Sequence, residues 1–202
     1  IVGEALAVLT SRGARGLYDN PTRVNFYDLA DQKTAVFLNV SDSDPSQYKL
    51  VSLFYTQVLH ILCDYADRRP GSRLPIPVRL YLDDFASNLV IPAFQKTITV
   101  IRSREISVSI MLQSLSQLNA MYGEENAKTI IGNCDHCLLL GCSDVDTARY
   151  FSVKANVSLH RILDMGLDSA WLFERGSKAR QITKTTPVYD LPATQIDFTP
   201  AA

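Results

Sequence analysis

The chain has 202 residues, 47% apolar and 20% charged, with a formal net charge of −1. This is ordinary for a soluble globular domain with a real core, and it gives no overall basic excess that would advertise nucleic-acid binding. No apolar run approaches the roughly 20 residues that span a bilayer, no signal peptide is present, and a start at Ile1-Val2-Gly3 without Met suggests a fragment.

Residues 1–31 show no sustained period and read as an irregular lead-in, with a short helix at 2–11. Thr34–Val40 is a short apolar run rich in β-branched residues, which predicts a buried strand. In the turn at 41–45, Asp44 is placed to cap the next helix and Pro45 to open it. From Ser46 to Ala66, Leu50, Leu53, Phe54, Val58, Leu59, Ile61 and Leu62 recur at helical spacing. The linker 67–73 is punctuated by Pro70 and Gly71, and its Arg68, Arg69 and Arg73 read as a solvated loop before a DNA-contacting one.

Ile76–Leu82 predicts a buried strand that stops at Asp83-Asp84. Ala93–Arg104 predicts a helix, and Ser107–Leu112 a strand ending at Gln113. Ser114 opens a further helix that Gly123 closes, followed by a short helix over Glu124–Ile131. Cys134–Leu140 predicts a strand, Asp144–Val153 and Ser158–Met165 helices, and Ser169–Glu174 a strand with which Arg180–Thr186 pairs. Residues from 187 onward read as a tail. Alternating strands and helices predict an α/β domain with a mostly parallel sheet and helices on both faces.

Cys134 and Cys137 form a Cys-x-x-Cys, but no second ligand pair stands at a zinc spacing. On a strand the two thiols would point to opposite faces. Reduced, buried thiols are the expectation for these and for Cys63 and Cys142.

In a parallel α/β sheet, functional residues gather at the carboxyl ends of the strands. Asp83-Asp84, Gln113 and Ser143-Asp144 fall at such ends. If the first two strands are neighbours, Asp83 and Gln113 share one crevice. Phosphoryl transfer uses a carboxylate for Mg²⁺, a second polar group to orient water and a cation to neutralise developing charge. Asp83 suits the metal, Asp84 the water, and Gln113 the γ-phosphate or the water. Acids and amides after strands also serve as caps and turn residues. Arg102 and Arg104 would either satisfy the end of their helix or supply an arginine finger to a neighbouring subunit.

The ordered set Leu80–Ala86, Ile91–Phe94, Ile101–Ser107, Met111–Leu118, Tyr122-Gly123, Ile130–Asp135 and Leu139–Gly141 resembles the TraG/TraD-type coupling-protein ATPases of conjugation and type IV secretion. The likeness is greatest to the Gram-positive branch, and it runs from about Asp31 to about Tyr189. It implies a RecA-like P-loop NTPase fold acting as a hexameric ring at the cytoplasmic face of the cell membrane. Such a ring uses ATP and Mg²⁺ to move single-stranded DNA, delivered by a relaxase, to the secretion channel. On this resemblance Asp83 and Asp84 match the Walker B acids, Gln113 the glutamine of the following motif and Arg102 the proposed finger.

Two departures stand out. The family has Glu where this chain has Asp84, and a carboxylate set back by about 1 Å can cost up to ~100-fold in rate. The chain also contains no Gly-x-x-x-x-Gly-Lys-Ser/Thr loop. The resemblance thus implies the C-terminal part of a motor domain over 32–190, with a tail at 191–202. No ATP or Mg²⁺ is expected to bind this piece alone. A different reading makes it a non-catalytic module that docks a relaxase or secreted partner through 144–165, where Asp144, Asp146, Arg149, Lys154, His160 and Arg161 lie. A nuclease using Asp83 and Asp84 would need further ligands, for which only Asp144 stands at a matching strand end.

Overall fold

A computed structural model describes residues 24–40, 47–86 and 89–185. The helix expected at 2–11, the Asp44–Pro45 cap and the 191–202 tail lie outside them. By its contacts the chain divides into two compact units, one up to Asp135 and one from His136.

The first unit is built around α2 (Tyr48–Asp67) and two parallel strands, β1 (Val78–Leu82) and β2 (Ile106–Ile110). A single helical turn, α1 (Asp28–Asp31), precedes them. The apolar spacing of α2 buries Val51, Val58, Leu59, Leu62 and Ala66 on one face, while Leu53, expected inside, is exposed. The core closes over Ile91, Phe94, Ile106, Leu118 and Ile130. Each such side chain is worth roughly 1.5–3 kcal/mol when fully buried. The arginines of the 67–73 linker are all ion-paired, Arg68 with Asp64, Arg69 with Asp31 and Arg73 with Glu105.

Two expectations fail here. Residues 33–40 are irregular, with Phe37 85% exposed. They run beside β1 and share with it a cavity of about 950 Å³ lined by Val36, Leu38, Val78 and Leu80, without joining its ladder. An apolar run becomes a strand only when it finds a partner edge. The helix expected over 93–104 is likewise cut short, to α3 (Phe94–Thr97) followed by turns and a 3₁₀ turn at Arg102–Arg104. Five consecutive β-branched residues, 97–101, disfavour a continuing helix. The hydroxyls of Thr97 and Thr99 also bond back to the carbonyls of Ala93 and Lys96.

After β2, Ser114 caps α4 (Leu115–Tyr122) by accepting from the Gln117 amide at 3.1 Å. Gly123, at φ 78 and ψ 151, ends α4 and opens α5 (Glu124–Gly132) in a conformation reserved almost wholly for glycine. The returning α5 packs against α3.

In the second unit, β3 (His136–Leu139), β4 (Ser169–Glu174) and β5 (Arg180–Thr183) form an antiparallel sheet in that order. The α/β class holds, but the mostly parallel sheet does not extend to these three strands. A five-residue turn at 175–179 joins β4 to β5, too short for the crossover a parallel pair requires. Helices α6 (Val145–Ala155) and α7 (Leu159–Leu163) complete the unit. Its core holds Leu139, Phe151, Ile162, Phe173 and Trp171, the last 4% exposed.

Candidate functional site

β1 and β2 are neighbours in register from Val78↔Ile106 to Leu82↔Ile110, so both strands end at the same edge. The Met111 amide donates to the Leu82 carbonyl at 3.0 Å, continuing the ladder. The next bond, from β1 back to the Met111 carbonyl, comes from Phe85 at 2.9 Å, one residue later than a regular parallel ladder places it. The Asp83-Asp84 pair therefore contains an extra residue and bulges from the edge. Such bulges re-aim side chains. The Asp84 amide, displaced from the ladder, donates to Asp83 Oδ1 at 3.0 Å. Asp84 itself sits in the left-handed region at φ 49, which is unfavourable for a residue with a Cβ.

Gln113, three residues beyond β2, donates from Nε2 to Asp84 Oδ1 at 2.9 Å. Three residues predicted to form a site thus meet at one strand edge. The amide of Gln113 engages Asp84 rather than Asp83. All three are exposed.

The floor beneath them is apolar. Phe85 is 3% exposed and packs on Phe94 and Tyr122, with ring centroids at 5.1 and 5.4 Å. The Tyr122 hydroxyl accepts from the buried Ile91 amide at 2.9 Å. Burial pushes this phenol up to about 12, the backbone bond opposing the shift. Sequence reasoning gave Phe85 and Tyr122 no role. Their signal was an aromatic directly after the acids and a tyrosine closing a helix.

Arg102 lies elsewhere. It precedes β2, at the amino end of the strand pair, and a five-residue strand is roughly 16 Å long. The geometry does not bring it to Asp83 within one chain. Its side chain is 80% exposed, and the guanidinium pairs with Asp135, Nη1 to Oδ2, at 3.0 Å. Arg104 takes the structural role that both arginines were candidates for. It grips Asp67 with two nitrogens at 2.9 and 3.0 Å and donates to the Val100 carbonyl.

Asp144, the third candidate at a strand end, is a helix cap. Its Oδ2 accepts from the Thr147 amide at 2.9 Å and also from the Thr147 hydroxyl. Among the described residues no group of three or more His, Cys, Asp or Glu side chains could hold a metal. Desolvation raises the thiols of Cys63, Cys137 and Cys142, partly offset at Cys137 by Lys154. No helix among the described residues is long and apolar enough to cross a membrane.

The fold is α/β, with the candidate site at the shared carboxyl edge of two parallel strands. Residues 77–155 match the family described as the TraM recognition site of TraD and TraG. The chain is similar to protein VirD4 of Agrobacterium fabrum, 28% identical over 127 residues, 62% of this chain and 19% of that protein. VirD4 of Rhizobium radiobacter matches at the same identity, over 18% of its length. Among solved structures, the bacterial conjugative coupling protein TrwBΔN70 aligns with a TM-score of 0.60 at 20% identity, covering 70% of this chain and 38% of that one. The plasmid coupling protein TrwB in complex with ADP and Mg²⁺ aligns with a TM-score of 0.56 at 21% identity, covering 70% and 37%. The likeness to TrwB concerns the fold. The chain spans about a fifth of the length of the curated relatives it matches.

Proposed function

We propose that this chain is the C-terminal part of an ATP-driven motor of a conjugative coupling protein, which carries a relaxase–DNA complex to a type IV secretion channel. The observation that carries this reading is the Gln113–Asp84 contact at the shared carboxyl edge of two parallel strands. Gln113 fixes the direction of the Asp84 carboxylate, which in this reading orients and deprotonates the attacking water. Asp83 is an exposed carboxylate beside it, a donor type that fits Mg²⁺, since hard divalent cations take oxygen ligands. Mg²⁺ held there would neutralise charge on the nucleotide phosphates. The exposure of Arg102 at the opposite end suits action on an adjacent copy in a ring, for which a homohexamer is proposed. Single-stranded DNA as cargo, placement at the cytoplasmic face of a membrane and origin in a Gram-positive element belong to the same proposal.

The phosphate cradle must come from outside these 202 residues, because no P-loop sequence occurs within them. The isolated chain is accordingly expected to show no Mg·ATP-dependent thermal shift. The complete gene product is expected to hydrolyse ATP and to lose turnover with Asp84→Asn. A complete product that hydrolyses no ATP would refute the motor assignment, and hydrolysis that survives Asp84→Asn would refute the role of Asp84. A docking role instead of a motor is the weaker reading. In the region 144–165, Asp144 is committed to its cap, Arg149 pairs with Asp146, and Arg161 lies over Trp171. A role in recognising a TraM-like accessory protein, as the matching family is described, is proposed alongside the motor. A pull-down with the cognate accessory protein tests it.

A further inference from the structure

We infer that Asp135 is a positioning residue for the Arg102 guanidinium, an inference that rests on the motor reading above. Nearby arginines are anchored in ways that Arg102 is not. Arg104 is 22% exposed and held by two nitrogens on Asp67, with a further bond to a carbonyl. Arg102 leaves 80% of its side chain in solvent and meets Asp135 through one nitrogen, Nη1. That ion pair tethers the guanidinium on one side while most of the side chain faces outward.

Asp135 is suited to the task by its anchorage. It follows the C-terminal turn of α5, where the Asn133 amide donates to Thr129 and the Cys134 amide to Ile131. Cys134 packs against the core, and Asp135 itself is 29% exposed. The α4–α5 crossover begins at the carboxyl end of β2 and returns the chain to the amino end, where it sets this carboxylate against Arg102. With the Arg102 side chain 80% exposed, the pair itself contributes little to folding. It does restrict a side chain that otherwise loses much rotamer freedom on gripping a phosphate. Arg carries five N–H donors, so a contact through one nitrogen leaves donors for a phosphate.

The test uses the complete coupling protein containing this chain and steady-state ATP hydrolysis. Arg102→Ala is expected to lower kcat about 10³-fold or more, as removal of an arginine finger does. Asp135→Ala is expected to lower kcat roughly 3–10-fold, the scale of a modest misplacement, with KM for ATP and the thermal midpoint unchanged. Asp135→Glu should recover most of the loss, and Asp135→Ala should add nothing in an Arg102→Ala background. If Arg102→Ala leaves turnover intact, the finger assignment and this inference both fall. If Arg102→Ala is inactive while Asp135→Ala matches or exceeds wild type, or shifts KM or stability instead, the positioning role alone is overturned.

Discussion

Asp84 and Asp144 both follow strands, and their backbones differ. Asp144 has ordinary extended geometry, φ −75 and ψ 119, and its carboxylate satisfies the first turn of α6. The acid there supports the fold. Asp84 stands in the left-handed region on a bulge, and its carboxylate accepts from Gln113. There the acid occupies a backbone region that is unfavourable for a residue with a Cβ. The same residue type after a strand is thus a structural cap in one unit and a candidate catalytic group in the other.

The sharpest way to break this contrast is Asp84→Gly. Glycine accepts the left-handed backbone, so the chain should gain about 0.5–1 kcal/mol, read as a higher midpoint in urea. The complete protein should lose hydrolysis by ~10²–10⁴, the usual contribution of a general base. Loss of stability instead would mean that the Gln113 contact is structural.

Next in size is the floor of the site. Phe85→Ala should cost about 3–5 kcal/mol, because Phe85 is almost fully enclosed between Phe94 and Tyr122. Tyr122→Phe should cost about 1–3 kcal/mol by leaving the Ile91 amide without its acceptor. The tyrosine also gives a pH signature. Its folded pKa of about 12 exceeds the ordinary 10.0. The unfolded chain therefore releases this proton first as pH rises. The associated stability is fully present below pH 10 and falls between pH 10 and 12, by up to roughly 2–3 kcal/mol. Alkaline denaturation of Tyr122→Phe should lack that component.

The smallest effect lies at the contrasting acid. Asp144→Ala should cost about 1 kcal/mol and Asp144→Asn much less, since Asn caps nearly as well. Neither should alter nucleotide turnover by more than the destabilisation explains. A catalytic defect in Asp144→Asn at full stability would erase the distinction between the two strand ends.

Much of this was legible in the sequence because it depends on local pattern. The strands ending at Asp83 and Gln113, the long amphipathic α2 and the Ser114 cap all follow from spacing and residue type. What escaped was set by partners distant in the chain. The run Thr34–Val40 has strand composition, but pairing is decided by an available edge, which composition does not report. The antiparallel β3-β4-β5 sheet was obscured because parallel and antiparallel strands differ in who pairs with whom. That Gln113 meets Asp84 rather than Asp83 depends on a one-residue bulge, and the link from Arg102 to Asp135 required knowing where α5 returns. Asp135 closes the quoted run Ile130–Asp135, but nothing in that run pointed to a partner for its carboxylate.

The single tryptophan has a practical consequence. Trp171 is the only one in the 202 residues, it is buried, and it lies in the second unit. All tryptophan emission from this chain therefore originates there, whereas the Phe85–Tyr122 cluster of the first unit contributes to near-ultraviolet dichroism as a tyrosine signal. Excitation at the red edge of the absorption band follows one unit and tyrosine dichroism weights the other. Coincident denaturation curves would mark a single cooperative body, and separated curves would mark two.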